Sequence, residues 1–482
     1  MNVPAVTNQK LWTWLWKPFL IAAAFLALYP NILRPGISWG DDWAMYVAHA
    51  RNFVTGHPYL DTGFLYSKLT AASSPTSCPP GYPFLLSLVY RVKGLDFEAL
   101  KMVSWTSTAL ALFVIGWFFR ARLGDRWALV VMLTLGGSVV FLDEMDILQS
   151  DTVCVVLVYA FFLVHRWLLD RRWDRQRPLI AAVLVLIPVM LATFTRIASL
   201  PMAGALILDD FARRRRPTWF SAAFACGFVT LFLWASRTFP GGLSYADQLH
   251  VDLRVQMSNA WAYLKWASYV WIDSFSGLLR YISFAVFTAS AGVAFYRRVR
   301  QGPTILEFFF VLHMAMLVAY PAGAGLRYML PVIPLYCAYA IEGILPLTGN
   351  RIVAVATTAL LLAVPAGNLL YANRSPIRDG PNAPGFQALV TEVRRSTSAD
   401  DRFLLWKPRA FALFSGRSAG FYVRTDDTRV FWSDVAGRRI QYVIRHKDDP
   451  EDQRWLEPKL RQSPERFELK YENPEFALYA VR

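Results

Sequence analysis

The stretch VVLVYAFFLVHRWLLDRRWDRQRPLIAAVLVLIPVMLATF, residues 155–194, sets two apolar runs either side of a turn holding Arg171, Arg172, Arg175 and Arg177. A helix crossing a hydrocarbon core takes about 17–25 residues, and each run is of that order. Arginine gathered between two such runs marks a turn kept in the cytoplasm. The rest of the chain repeats the arrangement. Of its 482 residues, 55% are hydrophobic, 15% aromatic and 18% charged, against about 25% charged in soluble domains. That depletion points to a polytopic membrane protein and excludes a string of soluble domains. A net charge of +15 would suit nucleic acid. The basic residues sit in short loops between apolar runs instead, so no nucleic-acid partner is expected.

Working outward, we read about eleven spans, near 18–34, 101–120, 127–142, 150–168, 178–194, 197–210, 218–236, 271–295, 304–320, 329–346 and 351–370. Every even-numbered connection is basic, from Arg120, Arg122 and Arg126 to Arg213–Arg216, Arg297, Arg298, Arg300 and Arg351. The N-terminus is therefore expected inside and the C-terminus outside. Lys10 and Lys17 precede the first apolar run without a small-residue cleavage site, which reads as an uncleaved signal anchor. Of the four cysteines, Cys154, Cys226 and Cys337 lie in apolar runs and only Cys78 in a polar loop, so no disulfide framework is expected.

Three polar segments then fall outside: an outer loop of residues 35–100, a second near 237–270, and the tail from Tyr371. The tail alternates strand-like runs (RFLLW, QYVIRHK, FELKY, FALYAV) with helix-like ones (FQALVTEVRR and DQRWLEPKL). The fold expected is an all-α polytopic membrane domain, 1–370, with a small C-terminal α/β soluble domain, 371–482.

The outer loop opens with SWGDDWAMYVAHARNF, residues 38–53. Ser38 with Asp41 three residues on fits a capping box, so a helix is expected from near Trp39. Trp43, Val47, Ala50 and Val54 share one of its faces, as in a helix lying on a bilayer surface. Adjacent residues point about 100° apart, so only one of Asp41 and Asp42 can aim into a given cleft. Farther on, Asp143 and Glu144 read as solvated loop carboxylates, with Asp146 in the same acidic group. Asp151 opens a span, where a carboxylate is a candidate site residue. Arg327 and Tyr328, in AYPAGAGLRYMLPVIPLY, occupy the outer end of a helix, where a guanidinium suits a phosphate; an arginine snorkelling to the interface is the alternative. Arg196, in FTRIAS, sits outside against the basic-inside trend; an anionic lipid headgroup and a buried ion pair are both open for it. His250, in YADQLHVDLR, reads either as a loop hydrogen bonder or as a contact to a metal or an acceptor.

GDDWAMYVAHARNFVTGHPYL resembles the first outer loop of the polytopic GT-C glycosyltransferases, nearest the family 39 and aminoarabinose-transferase-like branch. There an acid pair is followed by Tyr, Ala, Arg and Gly; here those positions are Asp41, Asp42, Tyr46, Ala48, Arg51 and Gly56. PPGYPFLL, with Tyr82, is similar to that family's Pro-rich segment, and LRYMLPVIPLY to its Arg-Tyr-x-x-Pro segment. The tail is similar to the small periplasmic domains of many bacterial members. The second acid is Asp rather than Glu. Ser77 and Cys78 stand where aminoarabinose-type members carry a lysine, leaving Lys68 as a distant substitute.

The resemblance implies a GT-C-type membrane domain and an inverting sugar transferase in the inner membrane. Its donor would be a polyprenyl-phosphate sugar and its acceptor an extracytoplasmic glycolipid, polysaccharide or protein. Asp41 would be the catalytic carboxylate with Asp42 beside it. Arg327, Tyr328, Arg196, Lys68 and Tyr82 would hold the donor phosphate and lipid, and Arg51, Asp151 and His250 would support the site or the acceptor. The chemistry agrees: transfer needs a base for the acceptor hydroxyl and positive charge on the leaving phosphate. A divalent ion is an option for that charge, with Asp41, Asp42 and His250 as ligands. A monomer is expected. The alternative is a transporter or flippase of a lipid-linked sugar, but such proteins carry their ionisable residues near the bilayer midplane.

Overall fold

The computed structural model describes residues 8–73, 75–239, 252–271, 277–320, 325–346, 351–370 and 372–482. The chain divides into two compact units. One comprises Met1–Leu33, Lys101–Ala235 and Val251–Arg374; the other comprises Arg34–Leu100, Ser236–His250 and Ser375–Arg482.

The first unit is helical. Each expected span has a helix at its place, among them Phe97–Leu123, Asp151–Asp170, Pro178–Thr195, Pro201–Arg214, Trp219–Thr238, Gly277–Gln301, Ile305–Ala319, Ile333–Ile344 and Arg351–Leu370. Among the described residues, four helices are long and apolar enough to cross a membrane alone: Phe97–Leu123, Asp151–Asp170, Pro178–Thr195 and Trp219–Thr238. The expected span 127–142 is a pair, Asp125–Gly136 and Val139–Met145, bent by 58°. The break falls at Gly137–Ser138, where Ser138 caps a new helix start, as expected where glycine and serine interrupt the ladder. A side chain at Gly137 would meet Pro365, 2.3 Å from its Cβ. Glu342 in this unit is paired, as a carboxylate drawn away from water requires. The Arg122 guanidinium forks onto Glu342, with Nη2 donating to Oε2 at 2.9 Å, and Arg298 reaches the same carboxylate at 3.1 Å.

The second unit joins the outer loop to the tail. A five-stranded sheet has the order β2-β1-β3-β5-β4, with β1 Arg402–Leu404, β2 Ser418–Gly420, β3 Tyr442–His446, β4 Phe467–Glu472 and β5 Phe476–Val481. β1 pairs in parallel with β2 and β3, and β5 runs antiparallel between β3 and β4. The four strands and two helical runs read from the sequence are present; β2 and the helices Pro408–Ser415 and Thr428–Gly437 were not expected.

The outer loop is stitched to this sheet. Ala419 of β2 donates its N–H to the Gly63 carbonyl at 2.8 Å and accepts from Leu65 N–H at 2.7 Å. Gly420 permits the approach, since a Cβ there would lie 2.6 Å from the Leu65 carbonyl oxygen. Trp39 packs edge-on against Phe386 and Trp406, with centroids 5.0 and 4.9 Å apart. The helix Asp42–Thr55 is a core element of this unit: Trp43 to Ala50 are all buried, and it packs on Gly81–Lys93 and Pro408–Ser415. This corrects the expected surface helix. The face of Trp43, Val47 and Ala50 is covered by protein, and only Val54, 38% exposed, is open.

Candidate functional site

Asp41 stands at the N-cap of Asp42–Thr55 but makes no side-chain cap bond there. The helix starts at Asp42, three residues past the expected start, and the Ser38 carbonyl accepts from Trp43 Nε1 at 3.2 Å. The reason is that Asp41 serves another helix. Its Oδ1 accepts the backbone N–H groups of Arg409 and Ala410 at 3.1 and 3.3 Å, in the first turn of Pro408–Ser415. The exposed N–H groups and positive dipole end of a helix draw a carboxylate there.

Arg409 completes the arrangement. Its Nε lies 3.7 Å from Asp41 Oδ2 and its Nη1 3.3 Å from Asp42 Oδ1, while Nη2 donates to the Pro75 carbonyl at 2.9 Å. The guanidinium also covers the Phe64 ring at 4.7 Å and is buried. Asp41 is nearly buried, and its Oδ2 has no hydrogen-bond partner among the described residues. Asp42 keeps 44% of its side chain exposed. Burial pushes the Asp41 carboxyl above the usual carboxylate range, against the opposing pull of Arg409, Lys407 and the Ala410 N–H. One oxygen is thus anchored, and the other keeps its lone pairs.

Behind the pair, His49 is buried and stacked on Tyr59 at 3.9 Å, its Nδ1 2.6 Å from the Tyr59 carbonyl. Burial pulls its pKa down to about 3, so it is neutral. Arg51 is half-buried on the acid-pair helix and Lys68 is exposed. Tyr82 is fully buried edge-on against Tyr46. The contact joins the helices Asp42–Thr55 and Gly81–Lys93. His250 lies outside the described residues.

The first unit gathers a second charged group. Arg196 Nη1 lies 2.7 Å from Asp151 Oδ2, so of the two readings open for Arg196 the ion pair is realised. The Arg196 and Arg327 guanidinium groups both lie over the Tyr328 ring, at 5.0 and 4.8 Å, within cation–π range. Arg327 Nη2 donates to the Tyr328 hydroxyl at 2.9 Å. Glu144 feels the charges of Asp151, Arg327 and Arg196. It is 4% exposed, which corrects its expected place as a solvated carboxylate; Asp143 is exposed as expected. Asp146 pairs with the fully buried Lys101 at 2.8 Å. His313, whose Nε2 is 3.0 Å from the Tyr328 carbonyl, joins this group without having been expected.

Among the described residues no three His, Cys, Asp or Glu side chains come together as metal ligands. At the acid pair the nearby cation is Arg409, which the sequence reading missed. Its signal was present: a lone arginine in the apolar helix PRAFALFS, the same argument that singled out Arg327.

With this geometry in hand, comparison with solved structures identifies the fold. ArnT from Cupriavidus metallidurans bound to undecaprenyl phosphate aligns over 97% of this chain and 98% of its own, with a TM-score of 0.56 and 11% identity. The apo state of the same protein aligns over 96% and 97%, also at 0.56. The fold is GT-C. The Archaeoglobus fulgidus oligosaccharyltransferase, solved with Zn and sulfate, matches at 0.56 and 13% identity, over 96% of this chain and 73% of its own. No protein-family model matches the sequence, and no curated protein matches it. At such identities the GT-C likeness carries the architecture and not the residues.

Proposed function

We propose that this chain is a membrane glycosyltransferase that moves a sugar from a polyprenyl-phosphate donor to an extracytoplasmic acceptor with inversion. The observation that carries the reading is the Asp41 carboxylate, with Oδ1 fixed by two backbone N–H groups and Oδ2 left to accept a proton. The likeness to ArnT solved with undecaprenyl phosphate supports the donor class. In the reaction the acceptor hydroxyl gives its proton to Asp41 Oδ2 and its oxygen bonds to the anomeric carbon. The bond from that carbon to the phosphate oxygen breaks, and the lipid phosphate leaves with the electron pair. A raised carboxyl pKa makes Asp41 a stronger base. Arg327 would bind the phosphate, with Arg196 held beside it by Asp151 over the same Tyr328 ring. Asp42 would support Asp41, and Arg51, nine residues along the same helix, would support the site or the acceptor.

In the same reading the chain crosses the inner membrane about eleven times as a monomer, with the N-terminus cytoplasmic and residues 371–482 periplasmic. The test is transfer from a polyprenyl-phosphate sugar by purified Asp41→Asn protein. Near-normal turnover in a folded variant would overturn the mechanism.

A further inference from the structure

In the first unit, residues 171–177 and 209–216 bring eight arginines against three aspartates, Asp174, Asp209 and Asp210. They border a cavity of about 840 Å³ lined by Asp174, Arg175, Arg213, Arg214, Arg216 and Trp219, among others. The aspartates are used internally. Arg214 contacts Asp174 and lies 3.0 Å from Asp210. Arg213 lies 2.9 Å from Asp209, and the Thr218 hydroxyl donates to Asp210 at 2.5 Å. These contacts build a rigid wall. Arg175 and Arg216 are exposed on the cavity rim, and neither forms an ion pair among the described residues. The cavity therefore presents uncompensated positive charge on a fixed frame.

Its surroundings say which anion fits. The cavity lies where the apolar helices Pro178–Thr195 and Trp219–Thr238 begin, both long and apolar enough to cross a membrane. Trp219, 79% exposed, stands at this end, as tryptophans do at headgroup depth. Just beyond Pro178, Leu179, Ile180 and Val183 are also exposed, a greasy strip running away from the charges. A soluble anion would have no use for that strip, whereas an acyl chain would lie along it. Basic pockets at the cytoplasmic ends of spanning helices suit anionic headgroups.

We infer that this cavity is a binding site for the phosphate headgroup of an anionic membrane lipid, with Arg175 and Arg216 as its charged contacts and Trp219 at the headgroup boundary. The inference does not depend on sugar transfer. Native mass spectrometry of the full chain in detergent, with phosphatidylglycerol or phosphatidylcholine added, tests it. The wild type should retain phosphatidylglycerol well above phosphatidylcholine. At roughly fivefold per arginine near a charged lipid surface, Arg175→Gln with Arg216→Gln should reduce that retention by about thirtyfold. Arg175→Lys with Arg216→Lys should restore most of it, which separates lost charge from a damaged fold. Undiminished retention in the Gln pair, or equal retention of both lipids by the wild type, would overturn the site. Displacement of phosphatidylglycerol by millimolar inorganic phosphate would overturn the lipid assignment in favour of a soluble anion.

Discussion

The two charged groups at the centre of the functional reading are built in opposite ways. At the acid pair, two carboxylates share one arginine, and that arginine lies 368 residues from Asp41. In the first unit two arginines share one tyrosine ring, and one of them already holds a carboxylate. The first arrangement leaves an oxygen without a hydrogen-bond partner among the described residues; the second gathers guanidinium charge around one ring. Counting charges therefore says little about role. What matters is which atoms the fold has already committed.

Breaking that contrast should begin with Asp41. Asp41→Asn keeps the size and the acceptor oxygen for the Arg409 and Ala410 N–H groups but removes the base. Transfer should fall by about 10²–10⁴, the usual worth of a positioned base, with the thermal midpoint near wild type. Arg409 comes next. Arg409→Ala leaves a largely buried carboxylate without its counter-charge and should destabilise the fold by about 3 kcal/mol in chemical denaturation, the low end for a broken buried pair because Asp42 stays hydrated. In the milder Arg409→Gln, the charge that holds the Asp41 carboxyl down is lost. Its pKa then rises further, so the acid limb of the pH–activity profile should move to higher pH. An unmoved limb would mean another group is the base.

Arg327→Ala probes the other member of the comparison. Loss of a hydrogen bond to a charged group is worth about 1.5–3 kcal/mol, so affinity for a polyprenyl phosphate should drop roughly ten- to a hundredfold in a binding titration. Unchanged affinity would remove Arg327 from the donor site. The effect that is smallest at neutral pH concerns His49. Its folded pKa of about 3 lies below the ordinary histidine value of 6.5, so the unfolded chain takes up the proton first. Stability from this group is present above pH 6.5 and is lost as pH falls from there toward 3. His49→Gln should flatten that part of the stability curve measured by denaturant midpoints.

Much of the architecture was legible because it rests on local chemistry. An apolar run of helix length declares itself, as Asp151–Asp170 and Pro178–Thr195 do, and alternation declared β3, β4 and β5. Where the reading failed, the decisive partner lay far off in sequence. Ser38 and Asp41 satisfy a capping pattern, yet the carboxylate is drawn to the start of a helix near the other end of the chain. The apolar face of Trp43, Val47 and Ala50 was real, but pattern cannot say whether lipid or protein covers it. β2, three residues long, is too short to show a period. Glu144 looked like a loop residue because its neighbouring charges, Arg196 and Arg327, come from distant segments.

The distance between Asp41 and Arg409 has a consequence for biosynthesis. At about 5–20 residues per second, a ribosome that has just made Asp41 needs roughly 20–70 s more to reach Arg409. During that interval the outer loop carries two carboxylates without the cation and the helix start that receive them. The loop can mature only after the tail has been made, so a chain that stops short of the tail would display an unfinished loop.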